Sequence, residues 1–204
     1  MTHERLAALF GEDDVWRPPE SELPLEISHE PTRRFLSGVG LPAELRNGFL
    51  SLDSDVLEGR LETLPQVYEE LGEIREWTWR IPEGGKHWYV LGGFFGGDVA
   101  VDGATGRVWF LPEWDGPPQP MHSGVDALAY FMYALERDRP LYSYEHARAV
   151  EDDDASPDDE IDVYEKAARK LVVELREIDP TPFTEEDAGP WTQAFEDIAG
   201  GQWG

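Results

Sequence analysis

The hydrophobic rhythm of the chain changes twice along its length. Near the start, Leu6, Leu9 and Phe10 fall on one side of a short helix over residues 1–10. A loop rich in proline and acid follows over residues 11–24. Pro31 suits a first helical position, and Phe35 and Leu36 carry a second helix to Gly38, which Gly40, Leu41 and Pro42 end. From residue 77 the pattern is that of strands: residues 77–81, 87–91, 98–101 and 107–111 are rich in aromatic and β-branched side chains. Pro82-Glu83-Gly84-Gly85 can reverse the first pair. Asp102-Gly103-Ala104-Thr105-Gly106 can reverse the last, with Gly103 or Gly106 at positive φ. The run Gly92-Gly93-Phe94-Phe95-Gly96-Gly97 reads as a turn or bulge between strands.

After the proline-stiffened stretch 112–120, helical spacing returns. Ser123 and Asp126 make an S-x-x-D cap ahead of Val125, Leu128, Met132 and Leu135. The clearest stripe is Ile161, Tyr164, Ala168, Leu171, Leu175 and Ile178, with Ser156 as N-cap and Pro157 at the first helical position. A last short helix to Ala199 places Trp191, Ala194, Phe195 and Ile198 on one side, and Gly200 and Gly201 stop it. The expected fold class is α+β, an antiparallel sheet with helices packed against it and a C-terminal helical extension. Residues 1–143 form the expected domain. Residues 144–204 form an acidic linker and a helical element expected to pack on it, with Trp203 docked too.

Composition narrows the function. The 204 residues carry 43 acids against 17 bases, a formal charge of -26 that repels phosphate backbones and anionic lipid headgroups. Nucleic acid and membrane are therefore poor partners. A basic protein is favoured, since opposite fields speed encounter, although solubility alone also accounts for the charge. There is no cysteine, which excludes disulfides, thiolate metal sites and cysteine nucleophiles. Neither a signal-peptide pattern nor a membrane-length apolar run occurs, so residence in the cytoplasm is expected.

Catalytic patterns are missing. The glycine run matches neither G-x-G-x-x-G nor a Walker spacing, and His3, His29, His87, His122 and His146 form no ligand pair. No G-x-S-x-G occurs, and Ser123 is explained by capping. The run Glu151-Asp152-Asp153-Asp154 lacks EF-hand spacing and reads as a linker, while Asp158, Asp159 and Glu160 suit a helix N-terminus. No catalytic, cofactor-binding or metal residue is assigned. What stands out is aromatic residues interleaved with acids at strand ends, the chemistry of a protein-binding surface. Trp88, Asp98, Asp102, Glu113, Trp114 and Asp115 are the candidate partner-binding residues, with Trp114 the expected exposed anchor.

Two segments carry a family resemblance. One is Phe35-Leu36-Ser37-Gly38-Val39-Gly40-Leu41-Pro42 followed by Phe49. The other runs from Tyr89-Val90-Leu91-Gly92 through Asp98-Val99-Ala100-Val101-Asp102 and Thr105-Gly106-Arg107-Val108-Trp109 to the Ser123 helix. Over roughly residues 23–143 the chain resembles the SUKH superfamily, which includes Smi1/Knr4-like proteins, and looks most like its SUKH-4 immunity branch. The resemblance implies an α+β domain and an antitoxin that binds and neutralises a polymorphic toxin, often a nuclease or nucleic-acid deaminase. It implies no enzymatic activity and transfers no site residue. Two other readings stay open at this point: a scaffold or regulatory interaction module, and a carboxylate-dependent hydrolase.

Overall fold

The computed structural model describes residues 1–46, 48–71, 81–113, 116–150, 157–184 and 187–202, and of residues 68, 70, 71, 148, 150 and 157–162 the backbone alone. The chain divides into two compact units, Met1–Tyr130 and Phe131–Gly204. The first holds α1 (His3–Phe10), β1 (Val15–Trp16), α2 (Glu30–Gly38), β2 (Leu41–Pro42), β3 (Leu50–Leu52), α3 (Ser54–Leu57) and α4 (Leu64–Leu71). It continues with β4 (Trp88–Phe94), β5 (Gly97–Asp102), β6 (Val108–Pro112), β7 (Gln119–His122) and the start of α5 (Val125–Asp138). The fold class is α+β, as the residue pattern implies.

The five strands β3 to β7 form one antiparallel sheet in sequence order. Trp88, Val90, Ala100 and Leu111 pack with Leu64 of α4. Tyr89 and Leu91, pointing the other way, are buried too. With both faces of β4 covered, its alternation of polar and apolar residues disappears, which is why the segment reads as a continuous apolar run. The glycines have separate jobs. A Cβ on Gly92 would run into the Ser51 carbonyl oxygen of β3, at the bulge between Val90 and Gly92, and Gly96 takes φ 67° in the turn between β4 and β5.

Besides β1 and β2, two strands of the five-stranded sheet escaped the pattern. β3 is only three residues long. β7 contains Pro120 and follows Pro117 and Pro118, a composition that argues against a strand. It lies at the edge of the sheet, where a proline need not break a ladder. The strand expected at 77–81 falls largely on residues outside the described ones.

The turn after β5 is built by one side chain. The Asp102 carboxylate accepts the N–H groups of Ala104 at 2.8 Å and Thr105 at 3.3 Å, and the Thr105 hydroxyl at 2.6 Å. The Gly106 N–H reaches the Asp102 carbonyl at 2.7 Å. Gly106 takes φ 77°, and a Cβ there would strike the His29 ring and Thr32 Oγ1, while Gly103 has a negative φ. Gly106→Val is therefore expected to cost about 1 to 2 kcal/mol through strain and crowding. Chemical denaturation checks it; a variant as stable as the parent would remove the assigned role.

The second unit holds the rest of α5, α6 (Tyr144–Val150), α7 (Pro157–Ile178) and α8 (Thr192–Ala199). Tyr164, Ala168, Leu171 and Leu175 are buried as their spacing demands. Ile178 instead is exposed: the stripe passes to Asp179, four residues after Leu175, and that residue is buried with its N–H on the Leu175 carbonyl. Trp191, Phe195 and Ile198 are buried together, Trp191 lying 5.5 Å from Phe131 and 6.5 Å from Phe195 between ring centroids. Ser156, the Ile161 side chain and Trp203 lie outside the described residues.

Candidate functional site

The candidate residues taken from the strand region do not gather. Trp88 and Asp102 pair in register where β4 starts and β5 ends. Asp98 pairs with Leu111, and the Glu113 N–H bonds the Gly96 carbonyl at 2.8 Å, both near the opposite turn. Four residues of strand, about 13 Å, separate the two pairs. Trp88 is 4% exposed and stacks on Trp109 with centroids 4.7 Å apart, so it belongs to the core rather than to an exposed anchor. Asp102 is committed to its turn. Asp98 and Glu113 are half-buried, and Trp114 and Asp115 lie outside the described residues.

A different acidic surface is assembled by parts of the chain that sequence spacing keeps apart. It begins with the two-residue ladder of β1 on β2, Val15 opposite Pro42 and Trp16 opposite Leu41. The Ala43 N–H extends it to the Asp14 carbonyl at 2.8 Å. Gly40, at φ 89°, makes this approach possible, since a Cβ would press on the Trp16 carbonyl oxygen at 2.6 Å. The Gly-Leu-Pro step that ends α2 is thus the step that seats β1. Leu52 ties back to Ala43 through an N–H to carbonyl bond of 2.7 Å, and the chain then turns into α3, which Gly59 ends at φ 88°.

The third wall is the 3-10 turn Glu20–Glu22. Arg33 of α2 holds it and the loop beyond: its guanidinium donates to the carbonyls of Pro24 at 2.7 Å, Glu20 at 3.0 Å and Ile27 at 3.3 Å. Between these walls lies a groove of about 470 Å³. Val15, Trp16, Pro18, Ala43 and Leu57 supply its apolar lining, and Asp13, Asp14, Glu22 and Glu58 its carboxylates, against a single guanidinium on Arg17. Leu57 is 46% exposed.

The charges around the groove are unevenly satisfied. Glu12 shares a 3.0 Å bond with the His3 ring and sits 3.8 Å from Arg17. The bond to His3 lowers the Glu12 carboxyl from its ordinary value, and the bond to Glu12 raises the His3 imidazole. Arg60 pairs with Asp55 and with Glu58, the latter at 2.8 Å. Desolvation, helped by the charge of Asp55, pushes the Asp53 carboxyl up. The side-chain carboxylates of Asp13, Asp14 and Glu22 have no hydrogen bond or ion pair among the described residues. Acidity in the loop 11–24 was visible in the sequence. That Val15 and Trp16 inside it form a strand, and so bring in Glu22 and Glu58, was not.

Among the described residues, no group of three or more His, Asp or Glu side chains is placed to hold a metal ion, and no helix is long and apolar enough to cross a membrane. Compared with known proteins, the chain matches the family model of the SUKH-4 immunity proteins over residues 1–197. That match takes in α6, α7 and α8, beyond the stretch 23–143 in which the resemblance was legible. No curated protein and no solved structure matches the chain.

Proposed function

Because the chain belongs to the SUKH-4 immunity protein family over nearly its whole length, we propose that it neutralises a cognate toxin by direct protein contact, and that the toxin is a basic nuclease or nucleic-acid deaminase. The family match carries this reading and favours it over a scaffold or a hydrolase. The charge of -26 supports the choice of toxin class. An enzyme acting on nucleic acid presents a basic cleft to the phosphate backbone, and a strongly acidic protein competes for that cleft by field and by bulk. It acts in the cytoplasm, where such a toxin meets its substrate.

The test is to look for a toxin-like domain in the reading frames beside this gene, to express it with and without the protein, and then to measure the complex. Protection of the cell together with a stable complex is the expected result. Exposed charges are screened over about 8 Å at physiological salt, so raising the salt should slow association while changing dissociation little. Association rates that do not respond to salt would remove the charge-based mechanism. Protection without any complex would remove neutralisation by contact.

A further inference from the structure

The groove lined by β1, Ala43, the Glu20–Glu22 turn and α3 combines three properties: a fixed apolar lining, an excess of negative charge, and unpaired carboxylates. We propose that this groove is the docking surface for the toxin, and that its occupant is an apolar segment bearing arginine. The proposal rests on the immunity reading and names the chemistry that reading needs at the interface.

The lining is held by backbone. The ladder of β1 on β2, the bonds from Ala43 to Asp14 and from Leu52 to Ala43, and the Arg33 fork behind the 3-10 turn fix all three walls. A surface already in place loses little conformational freedom when it binds. Leu57 is one of five large apolar side chains exposed among the described residues, and it stands at this groove.

Charge selects the occupant. Several exposed acids of the same unit find bases, Glu20 with Arg33, Glu30 with Arg34 and Asp55 with Arg60, and on the groove itself Glu58 pairs with Arg60. The carboxylates of Asp13, Asp14 and Glu22 on the groove find none, and the base that lines it, Arg17, leans toward Glu12 at 3.8 Å. Like charges left side by side are relieved by a cation. A guanidinium fits best, because its planar fork bonds carboxylates in pairs while its stem lies along apolar surface. The groove on α7 and α8 makes the contrast. It is lined by Ala168, Val172, Val173 and Ala199, but Glu165 and Arg169 on its rim neutralise each other at 2.6 Å, so nothing there specifies an occupant.

Two measurements decide the matter. The first uses a synthetic peptide of alternating leucine and arginine, with its glutamate-for-arginine counterpart as control, followed by NMR on the full chain. Shifts concentrated at residues 13–18 and 57–59 with the arginine peptide alone are expected. Shifts spread evenly over the acidic surface, or none, would overturn the proposal. The second uses the toxin against which the protein protects in the co-expression test and two sets of variants: D13N/D14N/E22Q, and E145Q/E177Q/E196Q, which removes the same charge from exposed positions of the second unit. The groove set should slow association at low salt about tenfold more than the remote set, a size within the range of electrostatic steering. Leu57→Ala should chiefly speed dissociation, also about tenfold. Circular dichroism melts matching the parent would show that the variants fold. If the parent binds and both sets behave alike, the groove is not the docking surface and the immunity reading stands. If the parent forms no complex, both fall together.

Discussion

Replacing Trp191 with alanine is expected to cost the protein about 3 to 5 kcal/mol, the range for removing a large aromatic side chain from a core that cannot collapse around the void. Trp191 is fully buried. Its ring stands at the centre of an aromatic group with Phe131 and Phe195, and Phe183 joins the same group 6.0 Å from Phe131 and 6.3 Å from Phe195. Arg176 covers Phe183 from outside, its guanidinium carbon 5.0 Å from the ring centroid. Four rings from α5, the loop after α7, and the final turn and helix thus share one contact, and the void would be felt by all of them. Chemical denaturation with near-ultraviolet dichroism should show a large fall in midpoint and a loss of aromatic signal. Ile178→Ala is the matched control, because that side chain is exposed and should change stability by no more than about 0.5 kcal/mol. A Trp191→Ala variant within about 1 kcal/mol of the parent would mean that the C-terminal segment contributes no core.

What the sequence showed and hid divides along physical lines. The stripe from Tyr164 to Leu175 and the faces of α1, α2 and α8 were legible because one side of each helix is more buried than the other, whereas α5 is covered almost all round and was marked by its long apolar run. The turn over residues 102–106 was legible as well, since a tight turn with glycine has few conformations open to it, although the choice between Gly103 and Gly106 for the positive φ came from the structure. Long-range pairing was not. β1 and β2 are two residues each and carry no period, so nothing in Val15-Trp16 or Leu41-Pro42 announces a partner 25 residues away. The same limit governed the site. Trp88 looked like an anchor because it is aromatic and neighbours acids across the strand, and only the cover on both faces of β4 shows that it is core. The acid groove could not be seen as one object, because its carboxylates come from positions 13, 14, 22 and 58, joined through backbone bonds that have no sequence signature.

The ion network at the end of α5 was equally hidden, and it yields the second large effect. Arg137 Nε and Nη2 donate to the two oxygens of Asp138 at 2.7 and 2.9 Å, while Nη1 and Nη2 reach the two oxygens of Glu174 on α7 at 2.9 and 2.8 Å. Lys170 approaches Asp138 at 3.4 Å. Asp138 is buried, and burial alone would push its carboxyl up; the bonds and charge of Arg137, with the help of Lys170, outweigh that and hold it below its ordinary value. Arg137→Ala leaves the buried Asp138 with Lys170, at 3.4 Å, as its remaining cation. Breaking a fully buried pair costs about 3 to 5 kcal/mol, and the partial exposure of the guanidinium lowers the expectation to about 2 to 3 kcal/mol at neutral pH. The loss should depend on pH in a definite sense. A carboxylate with a depressed pKa in the folded state adds stability above its unfolded value, about 3.9, and that stability is lost as the pH falls through the folded value. In the variant Asp138 no longer has this advantage, so the gap between parent and variant should be widest near neutral pH and shrink once the pH drops below about 4. Urea unfolding of both proteins between pH 7 and pH 3 measures it. A gap that stays constant across that range would show that Arg137 acts by packing alone, and a negligible gap at pH 7 would show that the network adds nothing to the stability of the second unit.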